Sequence, residues 1–473
     1  MPLINFSGIA SGIDSEALIE ATLEADRNTQ INPSQDRITK LQETNTALEE
    51  VKTRLTTFQS TLRSFSSLFG GGLFKGATST DESNVIASAA STAKNGTYTI
   101  NVTQLAENAV YTFQSTAGTY TSSSAAIAAG INDGDPAANR TVSIAVGDSS
   151  TETVDIVVTS TMTLTDFANE FNNNSSRASA SVVNVGTSSS PDYRIVVNSN
   201  KTGLDEGSIN VTVGTSVSGQ SAFDNNSEDP ALNSTFTIDG ISGTITRQSN
   251  KVSDVIPGVS FEFVSTGSAT ISVSDDVEST KSAVSDLVDQ FNDIITYIAE
   301  NNKIERVEDG EEVENIFGPL AETRVDDGVI TALKSNMSSA SYALGSSIKI
   351  FADIGITTER DGTLKFDEDV FEAAMASEPT SVNQILTTFA DTASLTGGTI
   401  DTYIRFNGLL DVTINGNDSL IENLNDRISR AEASLARKEE SMRLRFARLE
   451  SLIGSLQQQQ SALSSALAGL QGG

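Results

Sequence analysis

The sequence predicts a multi-domain α+β protein, with a long helical coiled-coil stalk built from both chain ends and inserted β-rich head domains. Apolar residues recur every seventh position at both ends, polar and apolar residues alternate through the Ser/Thr/Asn-rich middle, and helical periodicity returns after about residue 275. The 473 residues are also too many for one ordinary core.

Residues 41–76 form the N-terminal arm of the stalk. Leu41, Leu48, Leu55, Leu62 and Phe69 make one seven-residue series, and Val51, Phe58 and Phe65 make its companion, which together read as an a/d seam. Gly70, Gly71 and Gly72 end the run. From there the text alternates with period two, predicting strands at 97–103, 141–146, 153–159, 179–185, 193–199 and 208–213, with one short helix over 164–172. A polar break at 224–230 precedes a second strand group at 235–239, 243–247, 258–263 and 269–274. Two heads follow: an inner one from 77–114 and 231–275, and an outer one over 115–230, which carries 13 acidic and 4 basic residues and suits a well-solvated domain.

Residues 276–412 return to helix and complete the stalk. Val284, Leu287, Val288, Phe291, Ile294, Ile295 and Ile298 share one broad core-facing side, and further helices are expected over 326–343, 367–375, 381–390 and 399–410. The last segment, 413–473, is a coiled-coil helix: Ile421, Ile428, Leu435, Met442, Leu449, Leu456, Leu463 and Leu470 repeat without a miss. Its companion positions are mixed, including Lys438, Arg445 and Gln459, so the seam is narrow and wants a partner. A β block between two helical arms is most economically carried as an insertion at the end of a stalk that pairs them, with the termini together. Charge favours the pairing, since 14–26 holds five acids and no base, whereas 427–448 holds seven bases and three acids.

Formal net charge is −32, which repels phosphate backbones and anionic lipid, so neither nucleic acid nor a membrane is expected as partner. The chain has no Cys, His or Trp, which excludes disulfides, Cys/His zinc sites and a His-dependent triad. The first residues lack the basic and apolar regions of a secretory signal, and no apolar run approaches the length of a membrane span. Glu359, Asp361, Gly362 and Glu368 fall at calcium-loop spacing, but Thr357 stands at the first position. The flanks read instead as a hairpin turning at Asp361-Gly362, with Asp367 capping the next helix. The acidic run 305–314 reads as a hairpin tip. No nucleotide-binding or hydrolase motif is present, and the expectation is a non-enzyme with no cofactor and no metal site.

Specific strings then resemble a known family. The opening Phe6-Ser-Gly8-Ile-Ala-Ser-Gly12-Ile-Asp14, the stretch VTQLAENA at 102–109 and the pattern Asn250, Asp254, Pro257-Gly258-Val259, Phe261 resemble the flagellar hook-associated protein 2 family, the bacterial filament cap. IGITTERDGTLKFDED at 354–369 is similar to a hairpin shared among axial flagellar proteins. The family pattern often has a proline soon after the first acidic helix, which here is delayed to Pro33.

The resemblance implies export through the flagellar type III channel to the distal tip of the flagellum, outside the cell. It implies a homo-oligomeric ring there that holds back flagellin and guides its polymerisation, with hook-filament junction proteins as neighbours. A cytoplasmic export chaperone is expected on the C-terminal helix around Leu449, Leu452 and Leu456. The 1–40 segment is expected to stay disordered until assembly. Two other classes compete, a different axial protein such as a hook-filament junction protein, and a secreted β-rich adhesin whose stalk only oligomerises it.

Overall fold

The computed structural model describes residues 14–114, 119–148, 152–223, 225–309, 312–323, 325–339 and 347–470. Most of the opening motif, 6–13, lies outside them. The chain divides into two compact units, residues 73–277 and the two flanking segments taken together. Within the segment expected to order on assembly, α1 (Ser15–Gln30) is helical, its first turn capped by Asp14, whose carboxylate accepts from the Ala17 N–H at 3.0 Å. Ile31 alone separates it from α2 (Asn32–Arg63), where the delayed Pro33 sits in the first turn and needs no N–H partner. Leu41, Leu48, Val51, Leu55, Phe58 and Leu62 are all buried. The helix stops before the glycine run. Asp391 accepts from the Ser66 hydroxyl at 2.6 Å and from the Ser67 N–H at 3.0 Å, fixing a turn that ends at Gly70 with φ +70°.

Residues 73–277 open with β1 (Lys75–Ser79), β2 (Val85–Ala89), β3 (Gly96–Gln104) and β4 (Val110–Gln114). The chain continues through α3 (Ala137–Arg140), β5 (Thr141–Val146), β6 (Glu152–Val157), α4 (Leu164–Asn174), β7 (Ala178–Asn184) and β8 (Tyr193–Ser199). Then come α5 (Leu204–Gly207), β9 (Ile209–Val213) and β10 (Asn225–Asp229), before the return through β11 (Ser234–Ile238), β12 (Ile245–Arg247), β13 (Lys251–Ile256), β14 (Val259–Phe263) and β15 (Gly267–Asp275).

Two cores result. One lies between the sheets β1-β15-β3-β11-β12 and β13-β14-β2 and holds Ile100, Phe236, Val252, Phe261, Phe263 and Ile271. The other gathers β10-β4-β8-β7, β6-β5-β9 and α4 around Phe113, Phe167 and Phe223, whose ring centroids stand 5.3 to 5.8 Å apart. The second core is inserted into the first through a narrow neck, where Glu107 and Leu232 exchange backbone hydrogen bonds of 2.8 and 3.0 Å. The Asn250 side chain clamps that neck. It accepts from the Ala106 N–H at 2.7 Å and donates to the Ala106 carbonyl at 2.9 Å, which gives this motif residue a structural role.

The flanking unit resumes with α6 (Val277–Asn301), whose expected apolar side is buried, with Phe291 6.1 Å from Phe58 of α2. A two-stranded hairpin of β16 (Ile304–Asp309) and β17 (Glu312–Phe317) follows, then α7 (Val325–Ser339). The hairpin of β18 (Ile356–Thr358) and β19 (Leu364–Phe366) leads into α8 (Glu368–Ser377), α9 (Pro379–Ser394), α10 (Thr399–Ile404) and α11 (Leu409–Leu470). The single helix expected over 399–410 is thus two pieces. Asn407 takes φ 55°, and Asp411 caps the restart by accepting from the Asn407 N–H at 3.2 Å. Lys281 ties α6 to α8 through Glu372 at 2.7 Å and Glu368 at 3.4 Å.

Two outcomes follow for the inserted core. Phe113→Ala should cost about 3–5 kcal/mol in denaturant unfolding of that core, by opening the three-ring contact. Asp133 is held below the usual carboxylate range by the Ser160 hydroxyl and N–H, and Asp166 by those of Thr163 in the capping box of α4. Their contribution is therefore present above the unfolded pKa and lost as pH falls through the lower folded values. In a pH series of melts, the stability gap between wild type and Asp133→Asn/Asp166→Asn should close on the acid side.

Candidate assembly interface

A 62-residue helix is about 93 Å long and cannot bury itself, so what covers α11 decides what this end of the protein does. Its first turns lie on α2. The Lys52 ammonium donates to Asp411 at 2.5 Å, Asn45 donates to Asp418 at 2.8 Å, and Asn417 donates back to Asn45 at 2.8 Å. Leu41, Leu48, Leu55 and Leu62 are all buried in this unit, and α2 is held to α9 as well, where Gln59 donates to the Ser394 carbonyl at 3.0 Å.

The middle of α11 takes α1. Leu435 is buried with Ile19, Leu23 and Ile31, and Ile428, Ala431, Met442 and Phe446 pack half-buried around them. The seven-residue seam of the C-terminal helix therefore faces α1 here, at the stretch where α1 offers Ile19 and Leu23 at a spacing of four. Two ion pairs flank the cluster, Asp26 with Lys438 and Glu16 with Arg443, each at 2.5 Å. All four side chains remain partly exposed, so each pair contributes about 0–1 kcal/mol. Burying Ile19, Leu23, Ile31 and Leu435 stabilises by about 1.5–3 kcal/mol per side chain, so apolar contact dominates and charge orients.

Beyond Arg448 the cover ends. Leu435 is 5% exposed, whereas Leu449, Leu456 and Leu463 of the same series are 45%, 53% and 64% exposed, with Leu452 and Leu467 open beside them. Ile421 is half-buried. The series of eight therefore divides: three members, Ile428, Leu435 and Met442, meet α1, and three face solvent. The side chain of Leu470 lies outside the described residues. The opposite charges of 14–26 and 427–448 point to this pairing, and the ion pairs join those two stretches; the apolar positions of α1 are too few to stand out as a repeat.

Of the carboxylates at calcium-loop spacing, Asp361 accepts from the Thr363 N–H at 3.0 Å and hydroxyl at 2.7 Å within the turn and Glu368 pairs with Lys281, while the neighbouring Asp367 caps α8 through the Val370 N–H at 3.2 Å. Among the described residues no group of three or more acids could hold a metal ion, and no helix is long and apolar enough to cross a membrane. Leu435→Asp places a carboxylate among Ile19, Leu23 and Ile31, so amide exchange across α1 should rise sharply. Lys438→Gln, which removes only a surface pair, should change that exchange by less than about fivefold.

A family model for the N-terminus of flagellar hook-associated protein 2 matches residues 11–109, and one for its C-terminus matches residues 231–458. Between them they span more than two thirds of the chain. The B-type flagellar hook-associated protein 2 of Pseudomonas aeruginosa is 28% identical over 418 residues, 83% of either chain. The flagellar hook-associated protein 2 of Escherichia coli is 26% identical over 410 residues, 82% of this chain and 83% of that one. The solved D1-D2-D3 domains of the flagellar cap protein FliD from Escherichia coli match with a TM-score of 0.57 and 25% identity, over 78% of this chain and 99% of that one. With helical ends paired, a β-rich insertion between them and both terminal models matched, the chain belongs to the flagellar hook-associated protein 2 family.

Proposed function

We propose that this chain caps the bacterial flagellar filament: it oligomerises at the distal tip, keeps exported flagellin from escaping and promotes its polymerisation. The observation that carries this is the match of residues 11–109 and 231–458 to the two family models, together with a likeness over 78% of the chain to a structure described as a flagellar cap protein. The uncovered end of α11 supports it physically. A helix that exposes Leu449, Leu452, Leu456 and Leu463 is completed by another apolar surface, and an assembly supplies one.

In this reading the partners at the tip are further copies of the chain, flagellin and the hook-filament junction proteins. Before export, a cytoplasmic chaperone covers the same leucines, and the route to the cell exterior is the flagellar type III channel. Ordering of the terminal segments is completed on assembly, where the last turns of α11 gain their partner. The head domains form the plate of the cap and the paired helices its legs.

Deleting the gene should release flagellin monomer into the medium and shorten or abolish filaments, with both effects reversed when the gene is restored. Normal filaments in the deletion strain would overturn the reading. Leu449→Asp/Leu456→Asp/Leu463→Asp should leave the melting temperature of the isolated chain within about 2 °C of wild type, because these side chains touch solvent, while tip assembly is lost.

A further inference from the structure

The turn that joins α10 to α11 holds a phenyl ring out in water. Phe406 is 87% exposed, more than any other large apolar side chain among the described residues. The turn leaves it little freedom: Asn407 stands at φ 55°, the Gly408 N–H donates to the Arg405 carbonyl at 2.7 Å, and Gly408 itself is buried. Leu409, Val412 and Leu420 of α11 are exposed as well. At 3.6 residues per turn these three and Gly416 fall within an arc of about 80°, on the side away from Asp411 and Asp418, which bond to α2. Gly416 weakens the helix that contains it, and a Cβ there would meet nothing within 4 Å, so no contact inside the chain asks for it. A second surface approaching this ridge closely would.

A receiving groove exists in the same unit. Thr39, Gln42, Glu43 and Thr46 of α2 line a hollow of about 400 Å³ together with Tyr297 of α6 and Pro319, which holds a phenyl ring with room to spare. Its walls are fixed, since the Thr44 hydroxyl donates to the Pro319 carbonyl at 2.8 Å and the Arg54 guanidinium lies 4.5 Å from the centre of the Tyr297 ring. A copy cannot fill its own groove. Asp411 is bonded to Lys52 and Asp418 to Asn45, so α11 runs antiparallel to α2 and Phe406, which precedes Asp411, lies beyond Lys52. Glu43 is nine residues further back along α2, about 14 Å.

Charge selects the partner. Arg405 beside the ring is exposed, as are Asp36 and Glu43 on α2, and none of the three forms an ion pair with a described residue. Two ridges laid antiparallel about Gly416 would instead set Arg405 against Arg427, each eleven residues from that glycine. The comparable hollow over β2, β13 and β14 has its two charges, Lys251 and Glu262, paired with each other at 3.5 Å. We propose that the ridge of Phe406, Leu409, Val412 and Leu420 docks in the α2–α6 groove of a second copy of the chain, with Phe406 as anchor and Arg405 against the acids of α2. Each copy offers one ridge and one groove, so the contact is head-to-tail and repeats from copy to copy. Four apolar side chains bury less than the roughly 800 Å² per partner of a standard interface, so a single contact is weak and gains from repetition in an assembly. The inference rests on the self-assembly in the capping reading, yet it is tested on purified protein without flagellin.

Cross-linking of the full chain reads a weak contact directly, because the sequence has no cysteine and an introduced thiol reacts alone. Ser419 is exposed beside the ridge, and Thr46 lines the groove. Ser419→Cys and Thr46→Cys chains, purified apart, mixed and treated with a short bis-maleimide, should join about tenfold faster than Ser188→Cys and Thr46→Cys chains, which report random collision. Adding Phe406→Asp to the Ser419→Cys chain should return the rate to the collisional one with the melting temperature unchanged, since the ring touches solvent. Arg405→Glu should slow joining about fivefold, and Glu43→Arg in the other chain should recover it. The proposal is overturned if the mixed pair joins at the collisional rate, if Ser419→Cys chains join one another as fast as they join Thr46→Cys, or if Phe406→Asp changes nothing. Flagellin retention is read in the deletion strain without any of these variants, so the capping reading stands or falls separately.

Discussion

Apolar contact along helices with a seven-residue repeat holds the two ends of this chain in one unit, although more than two hundred residues of β structure separate them in sequence. Everything else in the flanking unit is arranged around that contact. α2 offers a buried leucine series, and α11 supplies the long surface on which α1 is laid. Ion pairs between the acidic start and the basic stretch of α11 set the alignment of α1, but the buried Ile19, Leu23, Ile31 and Leu435 provide most of the stabilisation.

Because α11 is longer than anything available to cover it, one molecule contains a graded surface. Its first turns have a built-in partner in α2, its middle has one in α1, and its last turns have none among the described residues. A helix of this kind is stable where it is covered and dependent on assembly where it is not. That gradient gives a subunit that is folded before it meets its neighbours and still has apolar surface to give them.

Much of the architecture was readable from residues alone. The leucine series, the apolar side of α6 and strands such as TVSIAV and YRIVVNS carry strong periodicity, and each appears as expected at α2, α11, β5 and β8. Strands β1, β2, β4, β10 and β13 were not foreseen. KGATS and NNSED have no apolar alternation to announce them. They are strands because a partner holds them, β1 against β15 two hundred residues away and β10 against β4. The helix expected over 399–410 failed at Asn407-Gly408, where a turn signal was outweighed by apolar spacing. At the interface, heptads located the seam but could not say that α1 would fill it.

The neck at Glu107 and Leu232 has a bearing on how such proteins vary. A chain that leaves a sheet and returns to it at two residues in backbone contact is joined to its host over a short stretch: that pair, the Asn250 clamp, and the bonds of Thr202, Leu204 and Asp205 to Gln248 and Asn233. The excursion keeps its own core, with Phe113, Phe167 and Phe223 at its centre. Its size, surface and acidity can therefore drift, or be exchanged for another module altogether, while the host sheets stay the same. Such a joint lets the inserted core close around its own rings while the host sheets keep theirs.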